Sequence, residues 1–163
     1  MLNKSNPIGV MDSGIGGLTV VRELQRILPG EDIIYFGDSA NCPYGNKTAD
    51  QIFELSCHML QFLGSNGVKC TAVACNTIST MAERLRPCFD FRIISIVEEA
   101  AKYVIRAKLS SVGLIGTEFT VASGKYAELI HQGNPDCHVV GKGSPLLAAL
   151  VDLSLIHISE PTR

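Results

Sequence analysis

Residues 7–28, PIGVMDSGIGGLTVVRELQRIL, combine a short apolar run, a glycine-rich turn and an amphipathic segment. Pro7–Met11 has no charged residue, as is typical of strands buried on both faces of a parallel sheet. After the glycines, Leu18–Leu28 spaces its apolar residues so that they share one face of a helix. A strand followed at once by a helix indicates a parallel sheet covered by helices.

The same alternation continues along the chain and predicts the α/β fold class. Five further runs are predicted strands: Asp32–Phe36, Cys70–Ala74, Arg92–Ile96, Val112–Ile115 and Cys137–Val140. Helical periodicity predicts four further helices: Gln51–Leu63, Ile78–Leu85, Glu98–Ala107 and Ser123–Ile130. A new series of strands and helices begins after Ile96–Ala101. We therefore expect a first α/β domain over residues 1–97 and the beginning of a second over residues 98–152.

Composition excludes several classes of protein. The 163 residues are 46% hydrophobic and 18% charged, with a net charge of −2. This hydrophobicity argues against disorder, and the charge offers no cationic surface for nucleic acid or anionic lipid. No apolar run has the length of a signal peptide or a membrane span, so we expect a cytoplasmic protein. A homodimer is left open.

The six cysteines do not form a metal-binding pattern. They include no Cys-x-x-Cys pair and no close Cys/His cluster, so we expect no structural metal. Cys70 and Cys75, if both lie on one strand, are about 16 Å apart at roughly 3.3 Å per residue. That separation is beyond the reach of a disulfide, and we expect reduced thiols.

The first candidate motif, Asp12–Gly17 (DSGIGG), follows the first predicted strand. Ligands of open α/β sheets bind at this edge, where glycines allow close approach and a helix start offers N–H groups. Asp12 and Ser13 add an acceptor and a hydroxyl, although both are equally suited to capping the helix. The dinucleotide pattern needs glycine at Thr19, and no Gly-Lys-Ser/Thr follows, so neither nucleotide fingerprint is present.

The second motif, Ala74–Thr77 (ACNT), ends the third predicted strand and starts a helix. A thiolate at Cys75 would be stabilised there by backbone N–H groups, which would make it a better base or nucleophile. Asn76 and Thr77 are candidates to hold a carboxylate or to cap the helix. A cysteine buried as a small hydrophobic residue is the alternative.

Two further motifs follow predicted strands. Phe36–Ser39 (FGDS) leads to Cys42–Gly45 (CPYG), in which Tyr44 and the Gly45 amide are candidates to bind a carboxylate. Gly116–Thr120 (GTEFT) offers Thr117 and Thr120 to an anion at a helix start. A plain turn and a simple helix cap at Thr117 are the respective alternatives.

Taken together, DSGIGG, FGDS, CPYG, ACNT and GTEFT make the chain resemble the aspartate/glutamate racemase family, most closely its glutamate-specific members. The resemblance runs from about Pro7 to Asp152. It implies a two-domain α/β enzyme that interconverts L- and D-glutamate without pyridoxal phosphate or metal and supplies D-glutamate for peptidoglycan. It also implies that the first domain lacks its carboxyl-terminal elements here.

The resemblance also implies roles for individual residues. Racemisation without a cofactor needs a base on each face of Cα and groups that stabilise charge on the carboxylate. Cys75 would be one base, acting on the D-enantiomer, and Asp12 and Ser13 would hold the substrate amino group. Substrate carboxylates and other polar groups would be bound by the remaining candidates: Tyr44, Gly45, Asn76, Thr77, Thr117 and Thr120.

The match breaks near the carboxyl end. The family's second catalytic cysteine lies in a Cys-Thr-His motif that this sequence lacks, and Cys137, beside His138 on a predicted strand, comes too early to replace it. Residues 153–163, LSLIHISEPTR, resemble translated sequencing-adapter read-through and are predicted to be non-native. We therefore expect the chain by itself to be inactive as a racemase.

Three other interpretations compete with this one. Aspartate racemisation, or a related two-cysteine reaction such as hydantoin racemisation or maleate isomerisation, would use the same motifs on another substrate. A carboxylate-binding module without catalysis would bind glutamate even after Cys75→Ser. A nucleotide-binding domain is disfavoured because its glycine patterns are broken.

Overall fold

The computed structural model describes residues 5–148 and 150 and confirms the α/β fold class. These residues form six strands: β1 (Ile8–Asp12), β2 (Ile33–Gly37), β3 (Cys70–Val73), β4 (Arg92–Ser95), β5 (Ser111–Gly116) and β6 (His138–Gly143). The helices are α1 (Leu18–Ile27), α2 (Ala49–Ser65), α3 (Asn76–Ser79), α4 (Ala82–Leu85), α5 (Ile96–Arg106), α6 (Glu118–Ala122) and α7 (Lys125–Gly133). Short 3-10 turns cover Tyr44–Asn46 and Arg86–Cys88.

The first four strands form one parallel sheet in the order β2-β1-β3-β4. The chain therefore moves from β1 outward to β2 and returns to the other side of β1 as β3. Such a reversal of strand order opens a crevice between the carboxyl ends of the two strands, where ligands of α/β proteins bind. In this sheet the crevice lies between Asp12 at the end of β1 and Cys75 just after β3.

The remaining two strands, β5 and β6, form a separate parallel sheet. Each sheet has its own cluster of buried residues. The larger one packs α2 and the helices after β3 against the first sheet, with Met11, Leu60 and Val73 almost fully buried. The smaller one joins α5, α7 and the start of β6 through Val104, Ile130 and Cys137. The boundary between residues 97 and 98 stays a prediction.

Two predicted helices differ from the structure. The helix predicted over Ile78–Leu85 is two short helices, α3 and α4, and Thr80 donates its hydroxyl to the Thr77 carbonyl at the break. The helix predicted over Ser123–Ile130 forms as α7, which begins two residues later because Gly124, with φ of 66°, separates it from α6, a short helix that was not predicted. Glycine adopts this left-handed conformation without the steric cost that other residues bear.

Other predicted boundaries agree with the structure to within three residues, and α2 begins with a capping box between Thr48 and Gln51. Within the described residues, no helix has the length and apolar character that crossing a membrane would require. The predicted non-native tail, residues 153–163, and Asp152 lie outside the described residues.

Candidate active site

The crevice between β1 and β3 is a cavity of about 360 Å³. The site residues named from the sequence are brought together there, with one exception. Those that line the cavity are Asp12, Ser13, Tyr44, Gly45, Cys75, Asn76, Thr77 and Thr117. Thr120 does not line it but lies directly behind Thr117, 1% exposed. A volume of this order suits a small molecule.

Cys75 lies at the centre of this arrangement, at the amino end of α3. Its side chain is 7% exposed, and its sulfur lies 3.3 Å from the hydroxyl oxygen of Ser13. Because Ser13 follows β1 and Cys75 follows β3, this contact depends directly on the pairing of those two strands. The Cys75 thiol therefore faces the cavity beside a polar partner, unlike a cysteine packed only against apolar groups.

The surroundings of Cys75 favour the protonated thiol. Burial, and next the negative charge of Asp12, raise the pKa of this thiol above its ordinary value. Hydrogen bonds from the Ser13 side chain and from the backbone N–H groups of Ile78 and Ser13 oppose that rise without cancelling it. The sequence suggested that N–H groups at the helix start would stabilise a thiolate. They act in that direction, but burial has the larger effect.

Asp12 is held at the start of α1. One of its carboxylate oxygens, Oδ2, accepts a hydrogen bond of 2.8 Å from the Gly17 N–H, and the residue is 7% exposed. The interpretation of Asp12 as a helix cap is thus partly correct, because its carboxylate binds the Gly17 N–H at the start of α1. The same carboxylate lines the cavity beside Cys75, so it supplies negative charge where a cationic group of a ligand would be bound.

The phenol of Tyr44 has a partner within the protein. Its hydroxyl donates to Asp38 Oδ2 at 2.6 Å and lies 3.5 Å from the sulfur of Met59. Burial, followed by this hydrogen bond, raises the pKa of Tyr44, so the phenol keeps its proton. The part of Tyr44 left to bind a ligand is therefore its backbone and ring edge. Asp38, quoted in FGDS but given no role from the sequence, holds this loop.

Gly45 allows the loop to approach the second sheet. A Cβ atom at this position would lie 2.6 Å from Cβ and 2.7 Å from Cγ2 of Thr117. Side-chain atoms do not approach so closely without displacement, so residue 45 has to be glycine in this packing. The contact sets the width of the cavity between the two sheets.

Three threonine hydroxyls form a closed triangle at the cavity wall. Thr77 Oγ1 lies 3.0 Å from Thr117 Oγ1 and 3.3 Å from Thr120 Oγ1, and the last two are 2.9 Å apart. Thr117 is also the N-cap of α6, since its hydroxyl accepts a hydrogen bond from the Thr120 N–H. The capping interpretation of Thr117 is confirmed, and the triangle links the two sheets.

Asn76 has a partner that the sequence did not suggest. The Tyr126 hydroxyl, from the first turn of α7, donates to Asn76 Oδ1 at 2.6 Å. The neighbouring Lys125 forms an ion pair of 3.0 Å with Glu83 of α4. Because Tyr126 is fifty positions from Asn76 and belongs to none of the motifs, no sequence pattern pointed to the contact.

Among the described residues, no group of three or more His, Cys, Asp or Glu side chains is arranged to hold a metal ion. All six cysteines are free. Cys137 precedes β6 and packs in the smaller cluster, 3% exposed, so it lies at the opposite edge of its sheet from the cavity.

The chain is similar to known racemases over nearly its whole length. The sequence profile of the Asp/Glu/Hydantoin racemase family matches residues 8–160. A glutamate racemase of Streptococcus pneumoniae (strain Hungary19A-6) is 40% identical over 157 residues, which cover 95% of this chain and 60% of that protein. The chain thus spans about 60% of the length of the curated relatives it matches.

Solved structures give the same result. A glutamate racemase of Francisella tularensis subsp. tularensis SCHU S4, in complex with D-glutamate, has a TM-score of 0.85 at 38% identity. The match covers 93% of this chain and 58% of that one. A glutamate racemase isoform of Bacillus anthracis has a TM-score of 0.88 at 33% identity, covering 96% and 60%. Profile, sequence identity and fold agree, and the chain belongs to the Asp/Glu/Hydantoin racemase family.

Proposed function

We propose that this chain carries one half of the active site of a cofactor-independent glutamate racemase that supplies D-glutamate for peptidoglycan. Cys75 is the base on one face of the substrate Cα and acts on the D-enantiomer. The observation that carries the proposal is the buried Cys75 thiol, which faces the cavity 3.3 Å from Ser13 and beside the Asp12 carboxylate.

Substrate binding itself activates the thiol in this mechanism. In the empty cavity, burial and Asp12 keep Cys75 protonated. A substrate ammonium group held by Asp12 and Ser13 compensates the carboxylate charge, so the thiolate becomes easier to form once the substrate is bound. The Cys75 thiolate therefore forms next to the Cα–H bond, from which it accepts the proton.

The carboxylates of the substrate meet neutral donors. Asn76, Thr77 and Thr117 line the cavity together with Cys75, as do Tyr44 and Gly45. Donors held in fixed positions stabilise the charge that develops on the α-carboxylate as the proton leaves. A glutamate complex of the Francisella tularensis relative supports glutamate as the ligand.

The second base is the part that this sequence does not contain. It has no Cys-Thr-His motif, and we propose that one lies further along a longer gene product. Inversion needs a proton donor on the opposite face of Cα. The 163-residue chain alone is therefore expected not to racemise glutamate.

Sequencing the source DNA across codons 152–153, then expressing the reading frame found there, tests the proposal. The longer product should racemise L-glutamate in preference to L-aspartate, and should leave maleate unchanged. Cys75→Ser should abolish that activity. Cys88→Ser, at an exposed thiol away from the cavity, is the matched control and should retain it.

Other outcomes would overturn parts of the proposal. Preference for L-aspartate would change the proposed substrate from glutamate to aspartate, within the same family. Glutamate binding that survives Cys75→Ser, with no exchange of the Cα proton in any variant, would establish a carboxylate-binding module instead. Racemisation by the 163-residue chain alone would refute the need for a second cysteine.

A further inference from the structure

The Tyr126 side chain, on a helix of the second sheet, reaches a cavity residue without lining the cavity itself. It lies in the first turn of α7, directly after the left-handed Gly124, and its hydroxyl donates to Asn76 Oδ1 at 2.6 Å. Burial raises the pKa of the Tyr126 phenol, so its proton stays available for donation. The hydroxyl of Tyr126 is thus directed at the residue that immediately follows Cys75.

The direction of this hydrogen bond fixes the orientation of a carboxamide. An asparagine side chain has an acceptor oxygen and a donor NH₂ group, and rotation by half a turn exchanges them. In the structure the Tyr126 hydroxyl donates to Oδ1, so the acceptor of Asn76 is occupied and its NH₂ group is the part still available to a ligand in the cavity that the residue lines. An anionic group is the complement of that NH₂ group.

We propose that Tyr126 is a positioning residue that orients Asn76 as a hydrogen-bond donor to a substrate carboxylate. This inference rests on the proposed function, because it names the group that Asn76 meets. The hydrogen bond also links α7 to the site, so that a change in how the second sheet's helices pack against the first sheet would change the position of Asn76, next to Cys75. Asn76 touches the ligand, and Tyr126 acts through it.

The adjacent Lys125 provides a matched control. Its ammonium group bridges Glu83 at 3.0 Å and Glu128 at 2.8 Å, so it joins α7 to the first sheet's helices without contacting Asn76. Lys125→Gln loosens the same helix turn but leaves the Tyr126 hydroxyl in place. Tyr126→Phe removes the hydroxyl and keeps the ring. A difference between these two variants therefore isolates the hydrogen bond from the general packing of α7.

The first measurement needs no ligand. In ¹H–¹⁵N spectra of the 163-residue chain, the side-chain NH₂ signals of Asn76, assigned by their loss in Asn76→Asp, should move in Tyr126→Phe and stay in Lys125→Gln. Unmoved signals in Tyr126→Phe would overturn the proposal. If Tyr126→Phe does not fold, the ¹³Cζ signal of Tyr126 should shift in Asn76→Ala, and an unshifted signal would overturn it equally.

The second measurement is titration of the longer gene product with D-glutamate. Loss of one hydrogen bond predicts binding weaker by about threefold to tenfold in Tyr126→Phe, with Lys125→Gln close to wild type. Asn76→Asp should weaken binding more, and adding Tyr126→Phe to it should have no further effect. Equal losses in Tyr126→Phe and Lys125→Gln would show a purely structural role. If the wild type binds no glutamate, the proposed function fails, while the ligand-free spectra still decide whether Tyr126 orients Asn76.

Discussion

The hydroxyl oxygen of Ser13 and the sulfur of Cys75 lie 3.3 Å apart, although the two residues are separated by 62 positions in sequence. They meet because β1 and β3 are adjacent and parallel, so that the residues after both strands lie at one edge of the sheet. This contact lowers the pKa of the Cys75 thiol, against the larger effect of burial.

Removing the Ser13 hydroxyl should make Cys75 less reactive. Ser13→Ala loses a hydrogen bond that stabilises the thiolate, so alkylation of Cys75 by iodoacetamide at neutral pH should slow by about tenfold. Peptide mass spectrometry measures the rate at each cysteine separately. The exposed Cys88 in the same sample is an internal control, and its rate should not change. An unchanged rate at Cys75 would show that the contact has no effect on the thiolate.

Neutralising Asp12 should have the opposite effect. The Asp12 charge raises the pKa of Cys75, so Asp12→Asn should lower it and accelerate alkylation of Cys75 at neutral pH by about tenfold. Asparagine can still accept the Gly17 N–H, which makes the change mainly electrostatic. In the longer gene product the same variant should lose racemase activity. A Cys75 thiol that is more reactive in a variant with less racemase activity would show that the loss of activity comes from substrate binding and not from thiol reactivity. Slower alkylation would contradict this assignment.

Stability should fall in alkaline solution because of Cys75. Both the folded and the unfolded chain carry the thiol proton below the ordinary pKa of 9.0. Above it the unfolded chain releases the proton and the folded chain retains it, so the free energy of unfolding decreases as pH rises. One such group contributes a slope of up to about 1.4 kcal/mol per pH unit. In urea unfolding at several alkaline pH values, the free energy of unfolding should fall less steeply with pH for Cys75→Ser than for wild type or Cys88→Ser. Identical slopes would refute the assignment.

A methyl group at position 45 should separate the loop from Thr117. The added Cβ of Gly45→Ala would lie 2.6 Å from Cβ of Thr117, and such overpacking costs about 1–3 kcal/mol. Gly30→Ala is the matched control, because no atom lies within 4 Å of a Cβ at Gly30. Thermal unfolding should show a lower Tm for Gly45→Ala alone. Equal effects of the two substitutions would mean that the contact with Thr117 is not close in solution.

The sequence predicted the sheet better than the helices. All six strands of the described residues were located because a short apolar run depends on local composition, although alternate residues of β5 and most residues of β6 are exposed. The break at Thr80 was missed because apolar periodicity continues across it. The start of the helix after Gly124 was placed two residues early because a left-handed glycine leaves no mark on apolar periodicity.

The candidate site, too, was predicted only in part. Residues directly after strands were identified because the carboxyl ends of parallel strands share one edge. The roles of Asp38 and Tyr126 were not, since each acts through another side chain at a distance that only the folded chain defines. Tyr44 was a candidate to bind a carboxylate, but its hydroxyl is occupied by Asp38, and only the geometry of the loop shows it.

The triangle of Thr77, Thr117 and Thr120 has a consequence for selectivity. A closed ring of three hydroxyls can run in either sense, and in both senses each hydroxyl donates once and accepts once. Thr117 accepts the Thr120 N–H as well, so its hydrogen-bonding capacity is already full. A carboxylate that accepts a hydrogen bond from this ring breaks one internal bond for each bond it gains. The exchange favours an anionic acceptor, whose hydrogen bond is stronger than one between neutral hydroxyls, so the ring selects a carboxylate over a neutral group.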